Sequence, residues 1–325
     1  MGTSSPNHTI FGRSDTLGVR LAYRGSTSEG WLKNVSLPQP ARIASEPFNY
    51  PGALDSRFGG RKSHLGRLTL QWDPTSDFRA NLRVSANSDR LNASSLREMI
   101  SCSGAQPASL GNVDPTGDCK LDGVISAGAY QRELQVKHLG MQDLPNSGSI
   151  AKFDGQLAIL NMEYDAGKFA LSSVTGYHKY KWFQFDNFDG TTFNLLGGNQ
   201  HERWQQFSQE FRVLTQWDGP VNLVVGGFFE DTHRETEKYC KIAPFGFDPV
   251  TGNAKSCSLE TRTDSSSLSA FGQVIFKPTD QLEITAGGRV SREKVSGTVG
   301  YTYIHSRAAA RATSALARSS ARTST

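Results

Sequence analysis

Four cysteines, Cys102, Cys119, Cys240 and Cys257, are the residues whose spacing most directly implies chemistry. They form two pairs of equal separation (102 to 119 and 240 to 257), each inside one long polar stretch. Thiols so placed can close two local disulfides in an oxidising compartment. A zinc site would want a C-x-x-C or a nearby His pair, and neither is present. Free thiols remain the third option. The stretch from Asp118 to Ile125 has a faint likeness to a calcium loop, but Lys120 stands where an oxygen ligand is needed and Ala129 where a bidentate Glu is needed. A solvated loop is the simpler reading. Asn34 and Asn92 begin glycosylation sequons of a kind that occurs readily by chance. The seven His are scattered, and there is no P-loop, G-x-S-x-G or H-E-x-x-H. No catalysis and no cofactor are expected.

The elements that carry these residues follow a rhythm. Tight connections at Asp73–Asp77, Asp165–Lys168, Asp218–Pro220 and Pro278–Gln281 each join two runs that read as strands. Between them lie the polar stretches Ser26–Lys62, Arg90–Ala151, Asp186–Trp204 and Glu237–Asp264, far longer than ordinary hairpin loops. Short turns on one rim and long loops on the other are how an antiparallel up-and-down transmembrane β-barrel is built. Strands are expected at 17–24, 63–72, 78–89, 152–164, 169–183, 205–217, 221–236, 266–277, 281–295 and 298–305. Short helices are expected at Ser95–Ile100 and Ala129–Val136.

Period-two alternation gives these strands two unlike faces. In 78–89 one face carries Phe78, Ala80, Leu82 and Val84, and the other carries Arg79, Asn81, Arg83 and Ser85. A charged face suits a water-filled lumen. Arg67, Arg79, Arg83, Glu210, Arg212 and Arg289 are the lumen-facing candidates. The arginines favour an anionic ligand or contacts with a domain inside the barrel. Trp72, Phe78, Tyr164, Phe169, Trp217 and Phe276 flank the tight turns on the opposite parity, where an aromatic belt at the membrane interface would lie. One strand breaks the pattern: Leu157 and Ile159 fall opposite Leu160 and Met162, from burial on both sides or a slipped register.

Composition is compatible with this. The 325 residues are 37% hydrophobic and 20% charged, with a mean hydropathy of −0.45. No run approaches the roughly 18 apolar residues of a transmembrane helix, but a barrel strand meets lipid only at alternate positions. Lys and Arg total 35 against 31 acids, and Arg307–Thr325 alone supplies four Arg, which leaves 31 against 31. Nucleic acid is therefore not an expected partner. The segment 306–325, rich in Ala, Arg and Ser, abandons alternation and is expected to be disordered or the product of a frameshift. The first residues lack a basic patch followed by an apolar run, so no signal peptide is expected there.

Several segments resemble TonB-dependent outer-membrane receptors. Phe207–Val213 (FSQEFRV) looks like the family's FSQE(L/F)R strand. It is followed in order by Val224–Phe229, by Ser269–Gln273, and by Thr279–Val290 (TDQLEITAGGRV), similar to the family's "TdkleltaGlRyt". Upstream, Asp15–Ala22 and Glu29–Asn34 look like "dtlavRla" and "dGyikN". The resemblance covers about residues 10–305, and residues 1–305 are expected to be a partial barrel domain of about ten strands where the family has 22. It implies an outer-membrane location, import of a scarce solute such as a ferric siderophore, cobalamin or an oligosaccharide, and, in an intact parent, a plug domain and TonB as partners. In the family, lumen-facing residues such as Glu210, Arg212 and Arg289 meet the plug; pairing across strands inside a wet lumen is the other reading. Gly226, Gly227, Gly287 and Gly288 are expected to allow close strand packing. The chain alone is not expected to transport. Other readings are a small self-closing porin-like barrel and a soluble all-β carbohydrate-binding domain.

Overall fold

The computed structural model describes residues 7–92, 98–100, 102–134, 149–307 and 309. The chain is all-β. Ten long strands form one sheet: β1 (Asn7–Arg13), β2 (Leu17–Asn34), β3 (Arg57–Trp72), β4 (Phe78–Asn92), β8 (Ile150–Asp165), β9 (Phe169–Asn187), β10 (Leu196–Thr215), β11 (Val221–Ile242), β12 (Cys257–Thr279) and β13 (Leu282–Ile304). Each is antiparallel to its neighbours in chain order. Three two-residue strands lie in the loop between β4 and β8: β5 (Ala108–Ser109) pairs with β6 (Asn112–Val113), and β7 (Val124–Ile125) lies parallel to the far end of β2. The sheet does not close, and β1 and β13 are its edges. The short connections all lie on one rim. In the three-residue connection between β8 and β9, Gly167 adopts a φ of 76°, which a side chain would disfavour.

Most strands run further than alternation alone predicts. β2 continues through Asn34, β9 through Asn187 and β11 through Ile242, while β10 begins at Leu196 and β12 at Cys257. The ends of the stretches expected to be loops are therefore paired strand, and the connection after β9 narrows to 188–195. The reason is physical: beyond a membrane both faces of a strand meet water, so the hydrophobic period fades while the ladder continues. The expected strands 281–295 and 298–305 are one strand, β13, and the remaining strand of the ten is β1. Residues 132–134 make a helical turn, and 98–100 are irregular. The rest of those two helix expectations, and nearly all of 306–325, lies outside the described residues.

From β4 to β12 every ladder keeps an unbroken register. This settles the odd strand: Leu157 opposes Ser85 and His178, and Ile159 opposes Arg83, so both sit on the polar face without any slip. The apolar face carries Leu68, Val84, Leu160, Leu171, Phe211, Val225, Leu268 and Val290. No described residue covers it: Phe211 is 59% exposed and Leu268 63%. Each such side chain gains about 1.5–3 kcal/mol when it leaves water. Along β10 the apolar face spans Phe207 to Trp217, about 25 Å at the usual rise and tilt, the height of a membrane barrel's apolar band.

The buried apolar core lies instead at the long-loop end. Tyr130 and Leu134 pack with Phe185, Tyr239 and Ala254, while Tyr50 packs with Phe193, Leu195 and Ala243. Between these clusters the Lys241 ammonium meets the Glu46 carboxylate at 2.9 Å, with both side chains almost fully buried. Lys241 also lies 4.9 Å from the Tyr130 ring centroid and donates to the Asn194 carbonyl. Burial pushes the Glu46 carboxyl up and the Lys241 ammonium down, and the charge of each partner opposes that drift. Removing one partner strands a buried charge, whereas removing both does not.

Two predictions follow from these contacts. Glu46→Gln or Lys241→Met alone should loosen the loop core by about 3–5 kcal/mol, and the double variant should regain most of it. Hydrogen exchange at the Ala243 amide, which donates to the Leu195 carbonyl, reads this out. In lipid, Phe211→Arg should cost about 2–4 kcal/mol of stability, and Ser208→Arg on the other face less than about 0.5 kcal/mol. Urea unfolding from bilayers measures both, and equal costs would contradict the assignment of faces.

Candidate functional site

The polar face of the sheet gathers the residues capable of recognition. Across β4, β8, β9, β10, β11, β12 and β13 one register row reads Arg79, Glu163, Ser172, Arg212, Gly226, Phe271 and Arg289. Glu210 stands one row further from the tight turns and pairs with Arg212 at 2.5 Å. The guanidiniums of Arg212 and Arg289 lie 5.7 and 5.9 Å from the Phe271 ring centroid, and Arg289 also stacks 5.3 Å from Phe228. Such cation–π contacts hold two like charges close together over one apolar surface. Arg289 donates to the Ser269 hydroxyl at 2.9 Å. Arg79 sits between Asp73 at 3.5 Å and Glu163 at 3.8 Å.

Gly226 makes this platform possible. A Cβ there would run into the Phe271 ring and the Phe211 carbonyl, so the ring can lie across the strand only because the side chain is absent. At Gly288, by contrast, a Cβ would meet nothing within 4 Å, so close packing does not explain that glycine.

Further toward the long-loop rim the same face carries a band of aromatic rings. Tyr180 and Trp204 stack at 5.3 Å with an interplanar angle of 19°. Phe153 lies 5.3 Å from Tyr180, Trp182 lies 6.3 Å from Phe153, and His178 meets Trp204 edge-on at 4.8 Å. Charged groups brace the band. Tyr180 donates to Glu202 at 2.6 Å, Arg234 pairs with Glu202 at 2.7 Å, and Arg61 pairs with Asp89 at 2.6 Å. Arg67 stands in the row of His178, and Arg83 one row nearer the turns. All six arginine and glutamate candidates thus share one face, but in two groups: a platform near the turns and an aromatic wall above it. The wall was missed in the sequence, although His178, Tyr180 and Trp182 alternate on the polar parity and could have revealed it.

The other candidates lie elsewhere. Trp72, Phe78, Tyr164, Phe169 and Phe276 are on the apolar face beside the tight turns, and Trp217 continues that parity just past β10. Trp72 and Phe78 pack edge-to-face at 5.6 Å. Disulfides join Cys102 to Cys119 and Cys240 to Cys257. The second pair is not within a loop: Cys240 and Cys257 oppose each other at the ends of β11 and β12. Asn34 is buried and bridges Ala127 through both its amide atoms, so its side chain serves the loop core. The carboxylates of Asp118 and Asp122 accept from amides two residues on, and Glu98 accepts from the amides of Asp122 and Gly123.

An uncovered apolar face behind an arginine- and aromatic-lined face is the wall of a membrane barrel. The family model for the TonB-dependent receptor-like β-barrel matches residues 135–317. The chain belongs to the TonB-dependent receptor β-barrel family. Solved receptors share the fold of this receptor barrel. The ferric yersiniabactin uptake receptor FyuA from Yersinia pestis superposes with a TM-score of 0.60 at 15% identity, covering 93% of this chain and 38% of FyuA. The ferripyoverdine receptor of the outer membrane of Pseudomonas aeruginosa gives 0.59 at 11%, covering 92% and 37%. The ferric citrate transporter FecA gives 0.52 at 10%, covering 92% and 36%. The chain thus spans well under half the length of the receptors it resembles. No curated protein sequence matches it.

The platform of this TonB-dependent receptor barrel is testable. Gly226→Val should displace the Phe271 ring and destabilise the wall by about 1–3 kcal/mol through overpacking. Adding Phe271→Ala should recover part of the loss, as urea-unfolding midpoints of the single and double variants will show.

Proposed function

We propose that this chain is part of the barrel wall of a TonB-dependent outer-membrane receptor whose intact parent imports a scarce solute. The observation that carries this reading is the aromatic and arginine lining of the polar face, set behind an apolar face that no described residue covers. The solute would enter from the long-loop rim and meet Tyr180, Trp204, Trp182 and Phe153 first. Flat rings beside fixed guanidiniums suit a ligand that combines π surface with negative charge, as metal chelates do. A ferric siderophore is the class that best fits this wall, in keeping with the ferric yersiniabactin uptake receptor and the ferripyoverdine receptor, whose fold it shares.

The unpaired edges of β1 and β13 expose backbone groups that hydrocarbon does not tolerate. Further strands of the parent are proposed to pair with them and close the barrel. A plug inside that barrel would contact the Arg79, Arg212, Glu210 and Arg289 platform, and TonB would act on the plug to open a path. Trp72, Phe78, Tyr164, Phe169, Trp217 and Phe276 would mark the periplasmic interface, since amphipathic rings are stable at headgroup level. The loop core and its two disulfides would then lie outside the cell, where thiols stay oxidised. The chain alone, with open edges, would not transport.

The test is growth of the source bacterium on single ferric chelates as iron source. Deletion of the parent locus should abolish growth on one anionic chelate. Complementation carrying Trp204→Ala together with Tyr180→Ala should raise the concentration needed by about tenfold or more, since each lost stacking contact is worth about 1 kcal/mol. Unchanged growth on every chelate after deletion would refute the ferric-siderophore reading.

A further inference from the structure

At the long-loop end of the polar face, beyond the aromatic wall, lies a pocket of about 380 Å³. Its position follows from the register. Gln200, Lys238, Leu259 and Tyr301 form one row across β10, β11, β12 and β13, and Gly198, Cys240 and Cys257 belong to the next. Gln200 stands two same-face steps past Trp204, about 13 Å along the strand. The pocket is therefore a site apart from the stacked pair Tyr180 and Trp204.

Its walls are apolar and its floor is sulfur. Leu259 and Tyr301 stand side by side, and the Cys240–Cys257 disulfide spans β11 and β12 in the adjoining row. Phe188 adds a further wall. Its amide donates to the Leu196 carbonyl at 2.8 Å, and its ring comes over Gly198, where a Cβ would stand 3.1 Å from the ring and run into the Tyr239 carbonyl. Glycine at 198 thus keeps space open beside the disulfide. The floor is backed by packed protein. Tyr239 and Lys241 flank Cys240 along β11 and are buried on the other face, one in the Tyr130 cluster and one against Glu46. Small ligands bind in pockets of this size that are mostly apolar, hold a few polar groups and are formed in advance.

One charge is set in this apolar surround. Among the described residues Lys238 is the only charged side chain lining the pocket; it is exposed and makes no ion pair. Glu202, one row nearer the tight turns, is already held by Tyr180 and Arg234. The Gln200 amide also donates to Glu202, and the Gln184 amide to Asp186. We propose that this pocket binds a small aromatic carboxylate. The ring would lie against Phe188 and Tyr301 with the disulfide sulfurs beneath it, since ring–ring and sulfur–ring contacts both favour an aromatic group there. The carboxylate would accept a charge-assisted hydrogen bond from Lys238. A neutral ring lacks the second contact and an aliphatic acid the first, so the site specifies both parts of its ligand. The proposal does not depend on which solute the parent imports.

The test is binding of salicylate to the full chain purified in detergent, by equilibrium dialysis against the same micelles without protein. Salicylate should bind saturably, and 2-hydroxybenzyl alcohol and hexanoate each about tenfold more weakly or worse. Lys238→Met, at an exposed position where the fold tolerates change, should weaken salicylate by about tenfold and leave the alcohol as it was. The disulfide reports the location. Saturating salicylate should slow the reduction of Cys240–Cys257 by dithiothreitol several-fold and leave Cys102–Cys119, the internal control, at its own rate, as alkylation and peptide mapping will show. Absence of saturable binding, or salicylate affinity unchanged in Lys238→Met, would overturn the proposal. So would slowing of both disulfides alike or of neither. These outcomes are separate from growth on ferric chelates, which tests the imported solute.

Discussion

Everything in this structure depends on one constraint: a sheet with an apolar side that the described residues leave bare. In a soluble protein the side chains of Phe211, Val225, Leu268 and Val290 would be the core. Here they face outward, and hydrocarbon is the solvent that makes the arrangement stable. That solvent then dictates the rest. It cannot hydrogen-bond a backbone, so each strand must be laddered to its neighbours over its whole length. It admits no polar loop, so every connection lies at a rim: the tight turns at one, and at the other the long loops, which build a core of their own.

The two ends of the strands accordingly follow different physics. Near the tight turns the sheet is one layer thick, and its polar face is held by ion pairs and cation–π contacts, such as the Phe271 platform over Gly226. Near the long loops it behaves as an ordinary protein. Aromatic clusters bury Tyr50, Tyr130 and Phe185, and Glu46 and Lys241 form a buried ion pair that fixes how the loop before β3 meets the end of β11. Such a pair contributes little net stability compared with a hydrophobic replacement, but it allows few alternative packings.

What could be read in the sequence, and what could not, follows the same division. Within the apolar band one face is lipid and the other water, so the period of two is strong, and the parity of Phe78, Ala80 and Leu82 against Arg79, Asn81 and Arg83 emerges unaltered in the register. Above the band both faces are wet or covered by loops. Residues such as Glu235, Lys238 and Glu260 carry no period, and paired strand reads as loop. The aromatic wall was hidden for a different reason. His178, Tyr180 and Trp182 keep the period but reverse the usual hydropathy of the lumen face, so a hydropathy pattern passes over them. Partnerships across distant loops, Glu46 with Lys241 above all, leave no trace in local pattern.

The central claim is that adjacent residues of one strand lie in different solvents. Single cysteines placed in turn at positions 207 to 213 of β10, with the chain reconstituted in bilayers and its native disulfides intact, test it most directly. Reaction with a charged, membrane-impermeant maleimide after opening the vesicles should be fast at 208, 210 and 212 and slow at 207, 209, 211 and 213. Labelling of equal speed at both parities would contradict the account.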